Sequence, residues 1–406
     1  MNTGKSNNLL VSGIVLIVLI AVGLIIKGGD SSTSIIIGKE PMSDMPLSKI
    51  GSIVITKNND QSKDTLTLKR ADKEWIVVNR ASYPADPDRI EKFVREFKDM
   101  KVLRELTAGE GQLGRLGLLD PDNASANSAT RVALHGADGK IIHSLHLGKE
   151  MSAPGSENQG AQQGFGGFPD RRFVMINNQR SEIAVVDQTF SNATTEPSDW
   201  LNKNFVKIDN PSSIEVSYPD NESTNSWKIT KSSDVGEWKM LGKIPEGKVL
   251  DTTSAPTSPL SSPSFNDLAT ESEKIQIDNN TTQIKISTFD GFSYLVKVGQ
   301  TASGSDRIIQ IITTGSFPDK RTPSKEEKPE DKAGLDEQWS ETQATLRKKL
   351  EKEAAFNKHV YRVSAFTVES ILKKKDELLK DKEKPDPASL EDPPVPFIKP
   401  PQKPEE

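Results

Sequence analysis

The sequence predicts an α+β protein: one N-terminal transmembrane helix, then two similar β-rich units, each an antiparallel sheet with a helix. Three observations predict it. An uncharged apolar run stands near the start, short β-type runs separated by turn residues follow it, and the same series of runs returns in the second half.

The apolar run is Leu9 to Ile26, 18 residues with nothing more polar than Ser12. As a helix it reaches ~27 Å, close to the ~30 Å hydrocarbon core of a bilayer. Its exit, Ile25-Ile26-Lys27-Gly28-Gly29-Asp30, puts bulky residues where a cleavage site needs small ones. The run therefore reads as an uncleaved signal-anchor rather than a removed signal. Lys5 and the α-amine lie before it, while Lys27 after it is answered by Asp30. That bias puts residues 1–8 in the cytoplasm and residues 9–26 across the membrane. The expected location is the bacterial inner membrane, single-pass, with the C-terminal part extracytoplasmic (periplasmic). Residues 27–46, small and polar up to about Asp44, read as a tether.

Composition narrows the function. With 53 basic against 58 acidic residues and no aromatic-interleaved basic stripe, the chain is not expected to bind nucleic acid. It has no cysteine, which excludes disulfides, thiolate metal sites and cysteine nucleophiles. Its four histidines, His135, His143, His146 and His359, are a thin supply for metal or base chemistry.

The first unit is expected over residues 47–205. Ser52-Ile53-Val54-Ile55, Thr65 to Leu68 with its alternation, and Glu74 to Val78 read as strands, the last two joined by an Ala71-Asp72-Lys73 turn. Asp86, Pro87 and Asp88 open a helix as cap, first residue and dipole partner. Ile90, Phe93, Val94, Phe97 and Met100 give it one apolar stripe. Strands resume at Arg131 to Leu134 and Ile141 to Leu147 across an Ala137-Asp138-Gly139 turn, then at Arg172 to Ile176 and Ile183 to Val186. Between them, Ala153 to Pro169 has loop composition.

The second unit, 206–380, replays this. Ser213 to Val216 answers Ser52 to Ile55, Glu237-Trp238 answers Glu74-Trp75, and Gln283 to Ile286 with Leu295 to Gly299 answers the Val132 hairpin. Arg307 to Ile311 answers Arg172 to Ile176, and Val360 to Val363 answers Ala184 to Asp187. Each unit is expected to close on a helix, near Asp199 to Phe205 and over Thr367 to Leu379. A Ser/Thr/Pro loop from Leu250 to Ser264 replaces the Asp86 helix. A charged segment, 313–358, is inserted between the last two strands, either a helix striped by Trp339, Leu346 and Leu350 or a projecting hairpin arm. Residues 381–406 form a proline-rich tail of disordered composition, in which Pro393-Pro394-Val395-Pro396-Phe397 has the character of a groove-docking segment.

No constellation reaches the standard of a catalytic site. His143 and His146 are three apart on a strand, so they point to opposite faces and read as exposed strand histidines rather than ligands of one metal. Asp86/Asp88 and Asp120/Asp122 each flank a proline and serve a cap and a turn. Ser370-Ile371-Leu372-Lys373 matches Ser-x-x-Lys without companion motifs, and no Gly-x-Ser-x-Gly elbow or phosphate loop is present. Gly164 to Phe168 reads as a loop tip. Trp75 and Trp238 read as sheet core in preference to sugar-stacking platforms. Catalytic residues, cofactor-binding residues and metal ligands are therefore set at none.

Trp75 to Val77 with Tyr83 to Ile90 (Y-P-A-D-P-D-R-I), Leu116 to Pro121 (L-G-L-L-D-P) and Leu145 to Gly148 (L-H-L-G) carry a resemblance. Over about residues 47–380 the chain resembles an uncharacterised bacterial family, domain of unknown function 4340. Leu119 is an extra residue in the Gly-Leu-x-Asp-Pro element. Members of that family look like single-span envelope proteins, often encoded beside ABC-transporter subunits of the gliding-motility-associated type, and no enzymatic activity is attached to them. The resemblance implies an accessory role next to a transport complex. The expectation is thus a non-enzymatic, membrane-anchored scaffold whose partners are the lipid bilayer and ABC-transporter membrane subunits or other envelope proteins. The alternatives are an envelope module binding glycan or lipid in the cleft between the two units, and a hydrolase whose residues converge only in the fold.

Overall fold

The structure, a computed structural model, describes residues 37–58, 62–123, 126–152, 169–261, 263–277, 281–300, 305–324 and 326–382. The anchor at 9–26, the loop at 153–168 and the tail from 383 lie outside them. Among the described residues no helix is long and apolar enough to cross a membrane. The protein is mixed α+β with antiparallel sheets, and it divides into two compact units at Lys203/Asn204.

Unit 1 is one nine-stranded sheet. In chain order its elements are β1 (Ile50–Asn58), β2 (Lys63–Ala71), β3 (Glu74–Val77), β4 (Tyr83–Pro84), α1 (Pro87–Asp99), β5 (Val102–Leu106), α2 (Glu110–Leu116), β6 (Thr130–Gly136), β7 (Ile141–Met151), β8 (Arg171–Ile176) and β9 (Ile183–Val186). The strands lie in the order β4-β3-β2-β1-β6-β7-β8-β9-β5. Asp86 caps α1 by accepting from the Asp88 and Arg89 amides, as its Asp-Pro-Asp opening predicts. The α1 stripe is buried from Ile90 to Met100. Phe93 and Phe97 meet edge to face, and Trp200 and Phe190 pack against them in the same way. Residues 37–46, assigned to the tether by the sequence, are packed instead. The Gly38 amide donates to Val102 O (2.8 Å), and Met42 and Met45 are buried.

Unit 2 has an eight-stranded sheet built from β10 (Pro211–Ser217), β11 (Trp227–Thr230), β12 (Lys239–Leu241), β14 (Asp267–Leu268), β15 (Thr282–Thr288), β16 (Phe292–Gln300), β17 (Asp306–Gly315) and β18 (Val360–Ser364). A separate pair joins β13 (Lys248–Leu250) to β19 (Leu379–Asp381). The helices are α3 (Glu271–Lys274), α4 (Lys332–Ala354) and α5 (Phe366–Glu369).

The order β12-β11-β10-β15-β16-β17-β18-β14 is the order of β3 to β5 in unit 1, strand for strand. Register agrees as well. Ile53 faces Leu68 on one side and Leu134 on the other; Ile214 faces Ile229 and Ile286. Both first strands carry a register shift just before that point, at Ile50/Ser52 and at Pro211/Ser213. Because neighbours alternate between faces, this register puts Ile53, Leu68 and Val77 in one core and Ile214, Ile229 and Met240 in the other. One sequence correspondence moves by a residue: pairing to β8 and β17 sets Val360 to Val363 against Ile183 to Val186, not Ala184 to Asp187.

Two other expectations change and one alternative is resolved. The closing helices shrink to a 3-10 turn at Pro197–Trp200, and to α5 with a 3-10 turn at Lys375–Leu378. Phe205, expected to end the first unit, packs its ring with Phe265, Phe356 and Tyr361 of unit 2. The charged insertion is the helical alternative: α4 runs 23 residues, with Trp339, Gln343, Leu346 and Leu350 half-buried along one stripe. Its C-terminal end is fastened by the buried Glu353. That carboxylate accepts from Tyr294 Oη (2.7 Å) and from the Lys207 amide (3.1 Å). Lys349, one turn earlier, donates to Lys207 O (2.8 Å) and pairs with Asp209 (3.1 Å). Burial and the adjoining Glu353 carboxylate hold the Tyr294 phenol far above its usual range.

Candidate functional site

A group of ionisable residues in unit 1 gathers where two of the sequence motifs meet. Helix α2 ends on Gly117, whose left-handed φ of +69° returns the chain so that the Leu118 amide reaches Leu113 O (2.9 Å). Leu116 O then lies over β7 at Gly148, where a Cβ would stand 2.5 Å from it. The Leu-Gly-Leu-Leu-Asp-Pro and Leu-His-Leu-Gly elements are therefore two sides of one contact. Leu113 and Leu118 join Met175, Ile183 and Ala108 in a small apolar cluster beneath it.

Asp120 and Asp122 follow in the turn. Asp120 Oδ1 accepts the Asp122 amide (2.8 Å), the turn role that the sequence predicts. Arg131 of β6 donates from one nitrogen to both carboxylates, 3.2 Å from Asp120 and 2.5 Å from Asp122, and Lys63 of β2 pairs with Asp122. His146 Nε2 stands 3.6 Å from Asp120 Oδ2. Burial raises the Asp120 carboxyl, but His146, the Asp122 amide and Arg131 outweigh it and hold it down at about 2. The same balance of burial against Arg131 and Lys63 lowers Asp122.

His146 corrects the sequence expectation. It is 1% exposed rather than solvent-facing, and neither ring nitrogen is within hydrogen-bond distance of a partner among the described residues. Its opposition to His143 is as predicted: His143 pairs across to Leu134 on one face and His146 to Arg131 on the other. Burial lowers the half-buried His143 imidazole, against a contact from Asn177. His135 donates from Nδ1 to Gly139 O (3.0 Å) in its own hairpin. The alternation of β7 was the signal for His146, since it shares a face with Met175 and Arg131.

The other candidates lie apart. Ser370 is exposed, whereas Lys373 donates to Ser254 O (2.8 Å). Trp75 and Trp238 occupy equivalent places at the outer strands but are half-buried. The buried indoles are Trp200 and Trp227, each donating to a backbone carbonyl, Thr194 O and Lys373 O. Lys231 Nζ sits 5.5 Å from both the Trp238 and the Phe289 rings. Among the described residues no cluster of three or more His, Asp or Glu is arranged to hold a metal ion.

The stretch from Trp75 through the α2–β7 contact coincides with a family pattern. Residues 75–157 match the domain of unknown function DUF4340. The match takes in Asp120, Asp122, Arg131 and His146, and it covers the Tyr-Pro-Ala-Asp element, where the Ala85 amide donates to Trp75 O (2.7 Å). Within the matched stretch Gly117 and Gly148 are close-approach positions, and Asp120-Pro121 carries the charge cluster. No curated protein and no solved structure matches the chain.

Proposed function

We propose that this chain is a non-enzymatic, membrane-anchored extracytoplasmic protein that serves an ABC-type export complex as scaffold or accessory subunit. One observation carries the reading: charged groups at the contacts between elements are engaged in closing the fold. Asp120 and Asp122 tie a turn to β6 and β2 through Arg131 and Lys63, Glu353 ties α4 to β16, and Glu273 ties α3 to β18 through Arg362. Groups held this way stabilise one conformation, whereas general acid–base work needs a carboxylate or imidazole open to substrate.

Two further features support it. The shared eight-strand order and the shared register shift are what an internal duplication leaves, and they support reading the chain as a repeated platform. The Leu9–Ile26 run has the length and apolarity of an anchor, and a setting beside ABC-transporter subunits is what the resemblance described from the sequence implies. Gentle detergent extraction of the full chain is expected to co-purify transporter membrane subunits, and a C-terminal periplasmic reporter is expected to be active. A clean monomer, or a reporter active only in the cytoplasm, removes the reading.

A further inference from the structure

The two sheets differ at one edge. In unit 1 the outer side of β3 is covered by β4: Val77 faces Tyr83, Ile76 faces Pro84, and the Ala85 amide donates to Trp75 O. In unit 2 the equivalent strand, β12, is the last in its sheet. Register makes Trp238, Lys239 and Met240 the counterparts of Trp75, Ile76 and Val77. The outward backbone groups of Trp238 and Met240 have no strand beside them among the described residues. An open edge of this kind is a template for an added strand.

The surroundings fit an extended apolar segment. A shallow depression of about 400 Å³ runs along the edge, lined by Thr230, Lys231, Ser232, Glu237, Lys239 and Leu241. Leu241 and Phe289 are exposed, and Lys231 sits against the rings of Trp238 and Phe289. Aromatic faces are what proline-rich segments dock on.

We propose that Val395-Pro396-Phe397 of the same chain lies along β12 as β4 lies along β3. The template is Tyr83-Pro84-Ala85, whose proline is tolerated because the strand is outermost. In the same register Pro396 faces Lys239, Val395 faces Met240, and the Phe397 amide donates to Trp238 O. The tail holds other X-Pro-X triplets, but their prolines are preceded by a charged residue (Lys384, Asp386, Asp392, Lys399 or Lys403) or by another proline (Pro393 or Pro400). The position filled by the buried Tyr83 needs an apolar side chain, and Val395 supplies it. Reach is sufficient. The Lys382 amide bonds to Gly247 O (2.8 Å), six residues past Leu241, and the 12 residues from 383 to 394 span ~37 Å when extended. Being tethered, the segment competes at high effective concentration.

Hydrogen exchange on the full chain in detergent tests this, against the chain ending at Lys382 and the full chain carrying Phe397→Glu. The Trp238 and Met240 amides are expected to exchange at least ~10-fold more slowly in the full chain than in either variant. A peptide of residues 388–406 added to the shortened chain is expected to restore the protection. Equal exchange in all three chains overturns the proposal. So does protection that rises with protein concentration, which would assign the strand to a second copy.

Discussion

Asp120 shows how one side chain sets an acid limit on the fold. Its pKa, held at about 2 against an ordinary 3.8, means that the folded state favours the ionised form. A carboxylate lowered in this way stabilises the protein above about pH 4, and the contribution is lost as pH falls through about 2. Asp120→Asn is therefore expected to cost roughly 1–2 kcal/mol in urea unfolding at pH 7. The gap from the parent chain is expected to shrink as pH falls below about 4 and to close only below about 2. A gap that stays constant with pH would mean that the carboxylate's charge contributes nothing. The Asp-Pro turn was legible in the sequence; the charge cluster was not, because Lys63, Arg131 and His146 come from three strands that only register brings together.

At the scale of elements, the α2–β7 contact depends on a missing side chain. A Cβ on Gly148 would meet Leu116 O at 2.5 Å and the Leu118 side chain at 2.9 Å, and the carbonyl belongs to a capped helix end that has little room to move. Gly148→Ala is expected to destabilise unit 1 by ~1–3 kcal/mol and to raise hydrogen exchange first in Leu113 to Leu118. Unchanged exchange there would place the strain elsewhere. Most strands and α1 were readable because alternation and the stripe Ile90-Phe93-Val94-Phe97 are local signals. Helix α2 was not, since Gly111 and Gly114 argue against a helix and only Gly117 marks its end. Trp75 misled for a related reason: it shares a face with the buried Val77, but beyond its strand the sheet has only the two-residue β4 to cover it.

For the whole molecule, the division at Lys203/Asn204 separates two sheets that each hold their own buried indole, Trp200 and Trp227. Residues 37–203 and 204–382, expressed separately, are each expected to unfold cooperatively with loss of tryptophan near-ultraviolet signal. Failure of either piece to fold would make the two units interdependent. The recurrence of Ile53/Ile214 and Trp75/Trp238 at nearly equal spacing was visible in the sequence; the shared order of eight strands was not, because it rests on pairings between strands far apart in the chain. The edge difference was not visible, because β4 is only two residues long.

The place of α4 also sets the two units apart in time. In unit 1 the β8–β9 hairpin closes over six residues, 177–182; in unit 2 the matching β17–β18 hairpin must close over 44, residues 316–359. For a flexible chain that difference costs roughly 2 kcal/mol of closure entropy. The same pairing thus changes from a local event to a distant one, which slows folding. β18, the last strand of that sheet in chain order, would join late, leaving β17 unpaired on that side until the whole insertion has been made.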